Sequence, residues 1–128
     1  MTDRSASVLV ADDNDDLRGS VCEILRAEGY EVIEADDGDT ALASYRERPT
    51  SVVVLDVRMP RLDGIAMIEH MQPAPPPPAI VLVSAYELGP NDRAHLGTRV
   101  AKFLRKPVSP PVLLAAVSEA AAGAGVPV

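Results

Sequence analysis

Three carboxylates close two apolar runs and set the chemistry that the chain can support. Asp12 and Asp13 directly follow the run at residues 8–11, and Asp56 follows the run at residues 52–55. Apolar runs without polar alternation are typical of strands buried on both faces, which occur in parallel sheets covered by helices. Ligands of open parallel sheets bind beyond the carboxyl ends of the strands, where the strand order reverses. If the two strands are neighbours, the three acids share one pocket.

A pocket of this composition favours a hard cation. Three carboxylates at close range repel one another and resist full ionisation unless a cation joins them. Oxygen ligands without sulfur suit an ion such as Mg²⁺. The sequence therefore predicts a Mg²⁺ site at Asp12, Asp13 and Asp56, and this pocket is the candidate functional site.

The elements that must position these acids alternate between strand and helix. The predicted strands are residues 7–11, 30–35, 51–55, 79–84 and 100–104. The predicted helices are one from the Asn14 cap to the stop at Gly29, then residues 40–48, 65–71 and 110–122, the last with a buried stripe of Val112, Leu113, Ala116 and Val117. Gly89, Pro90 and Gly97 interrupt residues 87–98, which are expected to form a poor fourth helix that is short, displaced or mobile.

Five such units, with apolar central strands and half-polar edge strands, predict a doubly wound α/β fold. Right-handed crossovers place helices on both faces of a five-stranded parallel sheet. The flavodoxin-like strand order 2-1-3-4-5 puts the alternating second and fifth strands at the edges and makes the first and third strands neighbours. That adjacency is the one that the acid cluster requires.

Composition and charge restrict the class of protein. The 128 residues suffice for one well-buried core and are too few for two ordinary domains. The formal charge of −7 disfavours a general nucleic-acid or anionic-membrane surface. Cys22 is the single cysteine, so it cannot form an internal disulfide and is expected to be a small buried hydrophobe. The sequence shows neither a charged leader nor a long apolar span, so we expect a cytoplasmic protein without membrane insertion.

Several segments are given structural roles. The nearly all-proline run at residues 73–78 is expected to be a rigid connector, with docking into an aromatic groove of another protein as the alternative. Residues 123–128 are expected to form a flexible tail. Gly64 is expected to provide a turn conformation. His70 and His95 have no plausible metal partners and are expected to lie on the surface.

Four motifs, each at the end of a predicted strand, resemble in order and spacing the receiver domain of two-component response regulators. They are Val-Ala-Asp-Asp at 10–13, Leu-Asp-Val-Arg-Met-Pro-Arg-Leu-Asp-Gly at 55–64, Val-Ser-Ala at 83–85 and Phe-Leu-Arg-Lys-Pro at 103–107. The resemblance covers residues 1–122. It implies the single-domain form, because the residues after 122 are too few to encode an output domain.

The resemblance implies that Asp56 is the phosphoacceptor. The phosphoryl donor would be a sensor histidine kinase, a histidine phosphotransfer protein or a small molecule such as acetyl phosphate. Asp12 and Asp13 would hold Mg²⁺, with Asp56 and the backbone carbonyl of Arg58 completing the protein ligands. The chain would then be a phosphoacceptor that assists its own Mg²⁺-dependent phosphorylation and autodephosphorylation, and not an enzyme acting on a separate substrate.

Three further residues receive roles around the phosphoryl group. Lys106 can supply a cation on its far side, and Ser84 can donate its hydroxyl to a phosphoryl oxygen. Movement of Ser84 would let Phe103 turn inward and remodel the surface of the fourth helix, the fifth strand and the last helix, through which the signal would pass to an unidentified downstream protein. The resemblance also implies a cis peptide bond between Lys106 and Pro107.

Arg58 and Tyr86 lie two residues beyond Asp56 and Ser84, at positions that flank the phosphoryl group in this family. A bulky pair there predicts that water is kept from the acyl phosphate, although Arg58 could equally orient a donor. Both interpretations stay open at the level of sequence.

Other classes of protein remain as alternatives. A phosphatase of the haloacid dehalogenase type needs a second aspartate two residues after the nucleophile, where this chain has Arg58. A receiver-like interaction module that is never phosphorylated would have no need of three crowded carboxylates. The chain could also be the receiver domain cut from a larger transcriptional regulator. In the single-domain interpretation it acts through protein contacts, with a kinase, a phosphotransfer protein or a motility component, or as a phosphorylation-dependent homodimer.

Overall fold

The computed structural model describes residues 6–59, 61–71 and 77–123, apart from the side chains of His95 and Thr98. Strands and helices alternate through these residues. The strands are β1 (Ser7–Ala11), β2 (Glu31–Ala35), β3 (Val52–Asp56), β4 (Ala79–Ser84) and β5 (Val100–Arg105). The helices are α1 (Asp15–Ala27), α2 (Gly38–Glu47), α3 (Gly64–His70), α4 (Pro90–Leu96) and α5 (Pro110–Gly123), with a 3₁₀ turn at Gly97–Arg99.

The five strands form one parallel sheet in the order β2-β1-β3-β4-β5, as the sequence predicted. In the pairing of β1 with β3, Ala11 lies opposite Leu55. Both strands therefore end at the same level of the sheet, and the acids that follow them, Asp12 and Asp56, emerge at one edge. The order reverses between these two strands, which is where ligands of such sheets bind.

The sheet separates two apolar clusters because successive side chains of a strand point to opposite faces. One face of β3 contributes Val53 and Leu55 to a cluster with α2, α3 and α4. The other face contributes Val52 and Val54 to a cluster with α1 and α5. All of β3 is buried, and full burial of each Val or Leu stabilises the fold by about 1.5–3 kcal/mol. This strand is the centre of the core.

Local sequence signals fix where the helices begin and end. The side chains of Asn14, Asp37 and Asp63 cap α1, α2 and α3 by accepting hydrogen bonds from backbone amides in the first turn. After α1 the chain turns at Gly29, whose φ of 97° is accessible mainly to glycine. Cys22 is buried on α1 as predicted, and burial raises the pKa of its thiol to about 11.

One of the predicted core positions is wrong. Val112 was placed in the buried stripe of α5 but is 51% exposed. The residues of α5 that face the sheet are Leu113, Ala116, Val117, Ala120 and Ala121, which follow the helical spacing of three and four residues. Val112 shares this spacing, because it lies four residues before Ala116, but it is in the first turn of α5 and the buried stripe does not extend to it.

Element boundaries differ from the predicted ones by one or two residues. The predicted poor helix at residues 87–98 is a short one, α4, followed directly by the 3₁₀ turn. The last helix extends one residue into the predicted tail, and residues 124–128 lie outside the described residues, as do 72–76 of the proline-rich stretch. Through the described ranges, no helix has both the length and the apolar character that a membrane span needs.

The role predicted for Gly64 is also wrong. Its φ angle is not positive, so the backbone there needs no glycine for conformational reasons. Instead, a Cβ at this position would lie 2.5 Å from the carbonyl oxygen of Asp56. Gly64 also donates its amide to the carbonyl of Val57 at 2.9 Å, which ties the start of α3 to the end of β3. The glycine is required by close packing of two backbone segments.

This close approach gives a prediction for stability. Gly64→Ala is expected to lower the free energy of unfolding by about 1–3 kcal/mol, because the added methyl group meets backbone that cannot move aside cheaply. The matched control is Gly19→Ala on α1, where a Cβ would meet no atom within 4 Å. That change is expected to raise the free energy of unfolding by about 0.5–1 kcal/mol. Urea denaturation followed by circular dichroism measures both, and a gain in both variants would contradict the packing explanation.

Candidate functional site

The three predicted carboxylates lie together at the carboxyl edge of the sheet. One oxygen from each of Asp12, Asp13 and Asp56 can be chosen so that all three lie within 4.8 Å of one another. Asp12 and Asp56 are 8% and 6% exposed, whereas Asp13 is exposed. The cluster therefore has a buried floor and an open side that solvent or a ligand can reach.

Lys106 balances part of this negative charge. Its Nζ lies 2.8 Å from an oxygen of Asp56 and 3.4 Å from an oxygen of Asp12. Its backbone amide donates to the carbonyl of Ser84 at 2.8 Å, which fixes the lysine beside the end of β4. The peptide bond between Lys106 and Pro107 is cis, as predicted.

The pKa values of both partners of this ion pair are raised, because burial and charge act on each of them. Burial raises the pKa of Asp56, and the charge of Asp12 adds to that effect. The hydrogen bond and charge of Lys106 lower the pKa of Asp56 without cancelling the rise. Burial lowers the pKa of Lys106, but its bonds to the two carboxylates more than compensate and leave that pKa above its ordinary value. The lysine thus stays charged, and its charge does not fully offset the effect of burial on the pKa of Asp56.

The donor set fits a hard divalent cation. Three carboxylates with a single ammonium group leave an excess of negative charge, and oxygen ligands with one exposed member suit an ion that keeps some of its water, such as Mg²⁺. The amide of Arg58 donates to an oxygen of Asp56 at 3.2 Å. The role of the Arg58 carbonyl as a further ligand stays a prediction.

Ser84 ends β4, one residue after Val83, which pairs with Asp56 across the sheet, and it is 4% exposed. Its hydroxyl oxygen accepts a hydrogen bond from the amide of Tyr86 at 2.9 Å. The two flanking residues singled out in the sequence are in contact, because the guanidinium of Arg58 lies 5.3 Å from the centroid of the Tyr86 ring. Arg58 and Tyr86 therefore form a pair between the loops that follow β3 and β4.

Phe103 lies on β5 and is half-buried. The guanidinium of Arg93, on α4, stacks over its ring at 4.4 Å from the centroid. A stacked guanidinium and ring attract each other by about 0.5–1 kcal/mol at an exposed site. This contact, which joins the short α4 to β5, was not predicted from the sequence.

A cavity of about 340 Å³ adjoins the carboxylates on the face of the sheet covered by α1 and α5. Apolar side chains from the sheet and the two helices line most of it, and Asp12, Asp56 and Lys106 line one end. The nucleophile candidate Asp56 is therefore bordered by apolar walls on one side, which is consistent with the raised pKa of its carboxyl group.

One residue near the cluster has a structural position that the sequence did not reveal. Arg18 on α1 donates to the backbone carbonyl of Asp12 at 2.7 Å and also pairs with side chains of Asp15 and Glu34. The spacing of Asp15 and Arg18 could have indicated a helical ion pair. The contact with Asp12 depends on the tertiary fold and leaves no local pattern.

The electrostatics of Asp56 give a prediction on pH dependence. A carboxyl group whose pKa is raised on folding favours the folded state while it is protonated and loses that contribution as the pH rises through the raised value. Asp56→Asn, which is neutral at every pH, is therefore expected to be more stable than the parent at pH 7 in Mg²⁺-free buffer. The difference should shrink as the pH falls through the raised pKa of Asp56. Urea unfolding from pH 4 to pH 8 measures it, and a parent more stable than Asp56→Asn at pH 7 would contradict the sign.

Comparison with known proteins agrees with this geometry. Residues 8–118 match the family described as the response regulator receiver domain. The response regulator GtcR of Aneurinibacillus migulanus is 32% identical over 106 residues, which are 83% of this chain and 43% of that protein. The transcriptional regulatory protein GlrR of Escherichia coli (strain K12) is 28% identical over 120 residues, which are 94% of this chain and 27% of that protein. The chain spans less than half the length of these curated relatives.

Solved structures show the same architecture. A CheY-like receiver domain protein from Methanospirillum hungatei JF-1 has a TM-score of 0.86, covers 95% of this chain and 98% of its own, and is 24% identical, a level at which the likeness concerns the fold. The receiver domain of a Francisella response regulator has a TM-score of 0.82 at 26% identity, covering 92% of this chain and 98% of its own. With the family match over residues 8–118, these likenesses identify the chain as a member of the response regulator receiver domain family.

Proposed function

We propose that the chain is a phosphorylation-dependent signalling switch of a two-component system. In this proposal Asp56 accepts a phosphoryl group from a sensor histidine kinase or a histidine phosphotransfer protein, with Mg²⁺ held at the carboxylate cluster. The observation that carries it is the contact of Lys106 with Asp56 and Asp12 at the edge where the three carboxylates meet. A carboxylate, a cation and an open acidic face are the parts that phosphoryl transfer to an aspartate requires.

The transfer forms one bond to phosphorus and breaks another. A carboxylate oxygen of Asp56 attacks the phosphorus of a phosphohistidine, a P–O bond forms, and the P–N bond breaks. The electron pair stays on the imidazole nitrogen, which takes a proton. With acetyl phosphate the P–O bond to the acetyl group breaks and acetate leaves. Attack of water on the aspartyl phosphate later releases phosphate and regenerates the carboxylate, so the chain is an acceptor that assists its own chemistry.

The residues around Asp56 have distinct parts in this step. Mg²⁺, when bound, neutralises the carboxylates and the phosphoryl oxygens. The ammonium group of Lys106 exchanges its contact with Asp56 for one with an incoming phosphoryl oxygen. Ser84 already accepts a hydrogen bond from the Tyr86 amide, so its hydroxyl hydrogen is the group that it offers to the phosphoryl group.

The output of the switch is proposed to be the surface formed by α4, β5 and α5. Movement of the Ser84 hydroxyl towards the phosphoryl group frees space near Phe103, which is half-buried beneath Arg93. Inward rotation of Phe103 would break its stack with Arg93 and change the surface around the short α4. A downstream protein or a second copy of the chain would recognise the changed surface.

Two further functions are kept as candidates. One is the receiver part of a larger transcriptional regulator, in which the same switch controls another domain, and the greater length of the relatives favours it. The other is a binding module that is never phosphorylated, and the uncompensated charge of the carboxylate cluster disfavours it. Such charge is costly to a module without phosphoryl chemistry.

Intact mass after incubation with acetyl phosphate and Mg²⁺ tests the proposed function. The parent is expected to gain one phosphoryl group, and the adduct is expected to be absent from Asp56→Ala and from a sample with excess chelator. An adduct that persists in Asp56→Ala would place the acceptor elsewhere and overturn the assignment. If acetyl phosphate gives no adduct, beryllofluoride with Mg²⁺ should still shift the amide spectrum of a working receiver, and an unchanged spectrum would favour the binding module.

The contact between Arg58 and Tyr86 gives a prediction on the lifetime of the phosphoryl group. Loss of a stacked pair worth about 0.5–1 kcal/mol would open the loops that flank Asp56, so Arg58→Ala and Tyr86→Ala are each expected to dephosphorylate about two- to fivefold faster. Decay of the adduct in chelator-free buffer, followed by intact mass, measures the rates. Arg48→Ala, which removes an exposed guanidinium paired with Glu31 at the start of β2, is the control and should decay like the parent. Unchanged decay in both test variants would favour a role for Arg58 in orienting the donor.

A further inference from the structure

Arg18 uses all three of its guanidinium nitrogens on three different parts of the fold. One donates to the backbone carbonyl of Asp12 at 2.7 Å, one to the carboxylate of Asp15 at 2.8 Å, and one to Glu34 on β2 at 3.2 Å. Its side chain is only 14% exposed, although it belongs to a surface helix. A guanidinium with this number of directed bonds is fixed in position, because its planar fork cannot rotate without losing them.

The carbonyl that Arg18 holds belongs to the peptide that joins two of the candidate metal ligands. The carbonyl of Asp12 and the amide of Asp13 lie in one rigid plane. Fixing that carbonyl therefore fixes the direction in which the chain enters Asp13. On its other side, Asp12 is tied to β2 by its amide, which donates to the carbonyl of Ala35 at 3.1 Å. Arg18 completes the support of the segment that presents both carboxylates.

The side chain of Asp12 is aimed by the same segment. One of its oxygens accepts from the amide of Asn14 at 2.9 Å, which leaves the other facing Lys106. Asn14 in turn caps the helix that carries Arg18. The start of α1, the peptide between Asp12 and Asp13, and the guanidinium of Arg18 thus form one connected support.

The positive charge of Arg18 would by itself weaken the binding of a cation, whereas its hydrogen bond to the Asp12 carbonyl would favour that binding. Asp15 and Glu34 pair with it at 2.8 Å and 3.2 Å, and these two carboxylates offset much of its positive charge. What remains towards the metal site is the hydrogen bond to the Asp12 carbonyl. Residues that orient metal ligands from behind typically change metal affinity by about 10–100-fold when they are replaced.

We propose that Arg18 is a positioning residue for the metal site: by holding the peptide between Asp12 and Asp13 it sets the affinity of the carboxylate cluster for Mg²⁺. The inference rests on the proposed function in so far as that function places Mg²⁺ at these carboxylates. It concerns the unphosphorylated protein and needs no phosphoryl donor.

The chain contains a matched control for this role. Arg26, also on α1, pairs with the same Glu34 carboxylate at 3.1 Å and donates a hydrogen bond to the carbonyl of Val32. Replacing Arg26 removes an arginine and an ion pair from the same helix face without touching Asp12. A difference between the two replacements therefore reports the contacts that Arg18 makes and Arg26 does not, namely those with the Asp12 carbonyl and with Asp15.

The experiment is titration calorimetry of Mg²⁺ into the unphosphorylated full chain. Arg18→Met is expected to raise the Mg²⁺ dissociation constant about tenfold or more, and Arg26→Met is expected to leave it within about twofold of the parent. Arg18→Lys keeps the charge and the aliphatic stem but not the planar guanidinium. It is expected to raise the Mg²⁺ dissociation constant as Arg18→Met does. This variant also serves as the test if Arg18→Met does not fold. Unfolding in urea without Mg²⁺ separates lost affinity from lost stability.

Several outcomes would overturn the inference. A dissociation constant for Arg18→Met within about twofold of the parent would do so, as would equal weakening in Arg26→Met. Full retention of affinity in Arg18→Lys would show that charge alone matters. If the parent itself bound no Mg²⁺, the metal site of the proposed function would fail together with this inference, whereas a parent that binds Mg²⁺ and forms the adduct at Asp56 would leave the proposed function intact.

Discussion

Repulsion among three carboxylates at one edge of the sheet is the constraint around which the site is built. Asp12 and Asp56 are held in largely buried positions, where the charged form is disfavoured, and a single ammonium group offsets only part of their charge. A fold would not keep this arrangement for stability, because apolar side chains in the same positions would cost nothing. The excess charge lies where the proposed function places a cation and a phosphoryl group, and neighbouring backbone bonds hold the carboxylates in place.

The rest of the fold serves to hold that edge still. β1 and β3 are neighbours in a sheet whose central strand is buried on both faces, so the strand ends that carry the acids have little freedom to separate. Gly64 brings the start of α3 against the carbonyl of Asp56, which closes the loop after β3. Lys106 directly follows β5, and its backbone amide donates a hydrogen bond to the carbonyl of Ser84. Each support is a short-range contact with backbone, and together they leave the side chains of the site few alternative positions.

The sheet order and the members of the carboxylate cluster could be predicted from the sequence because they follow from local patterns. Apolar runs that end in acid mark the central strands, and their order places Asp12 beside Asp56. The exposure of Val112 could not be predicted, because the start of α5 sets which side of the helix faces the sheet. The contacts of Arg18 with Asp12 and of Arg93 with Phe103 also escaped prediction, since each joins elements whose separation depends on the packed fold. Contacts of this kind, between side chains of different elements, produce no periodic pattern in the sequence.

The division of the core into two clusters has a consequence for how such a protein can change over generations. Arg18 and α1 belong to the face of the sheet that is shared with α5, whereas Phe103 packs against the opposite cluster with α4. The sheet separates the two faces, and residues of both border its acidic edge. Substitutions in α1 can therefore alter how the acidic edge is presented while the surface near α4 keeps its shape, and the reverse also holds. Substitutions on one face can thus accumulate over generations while the packing of the other face is kept.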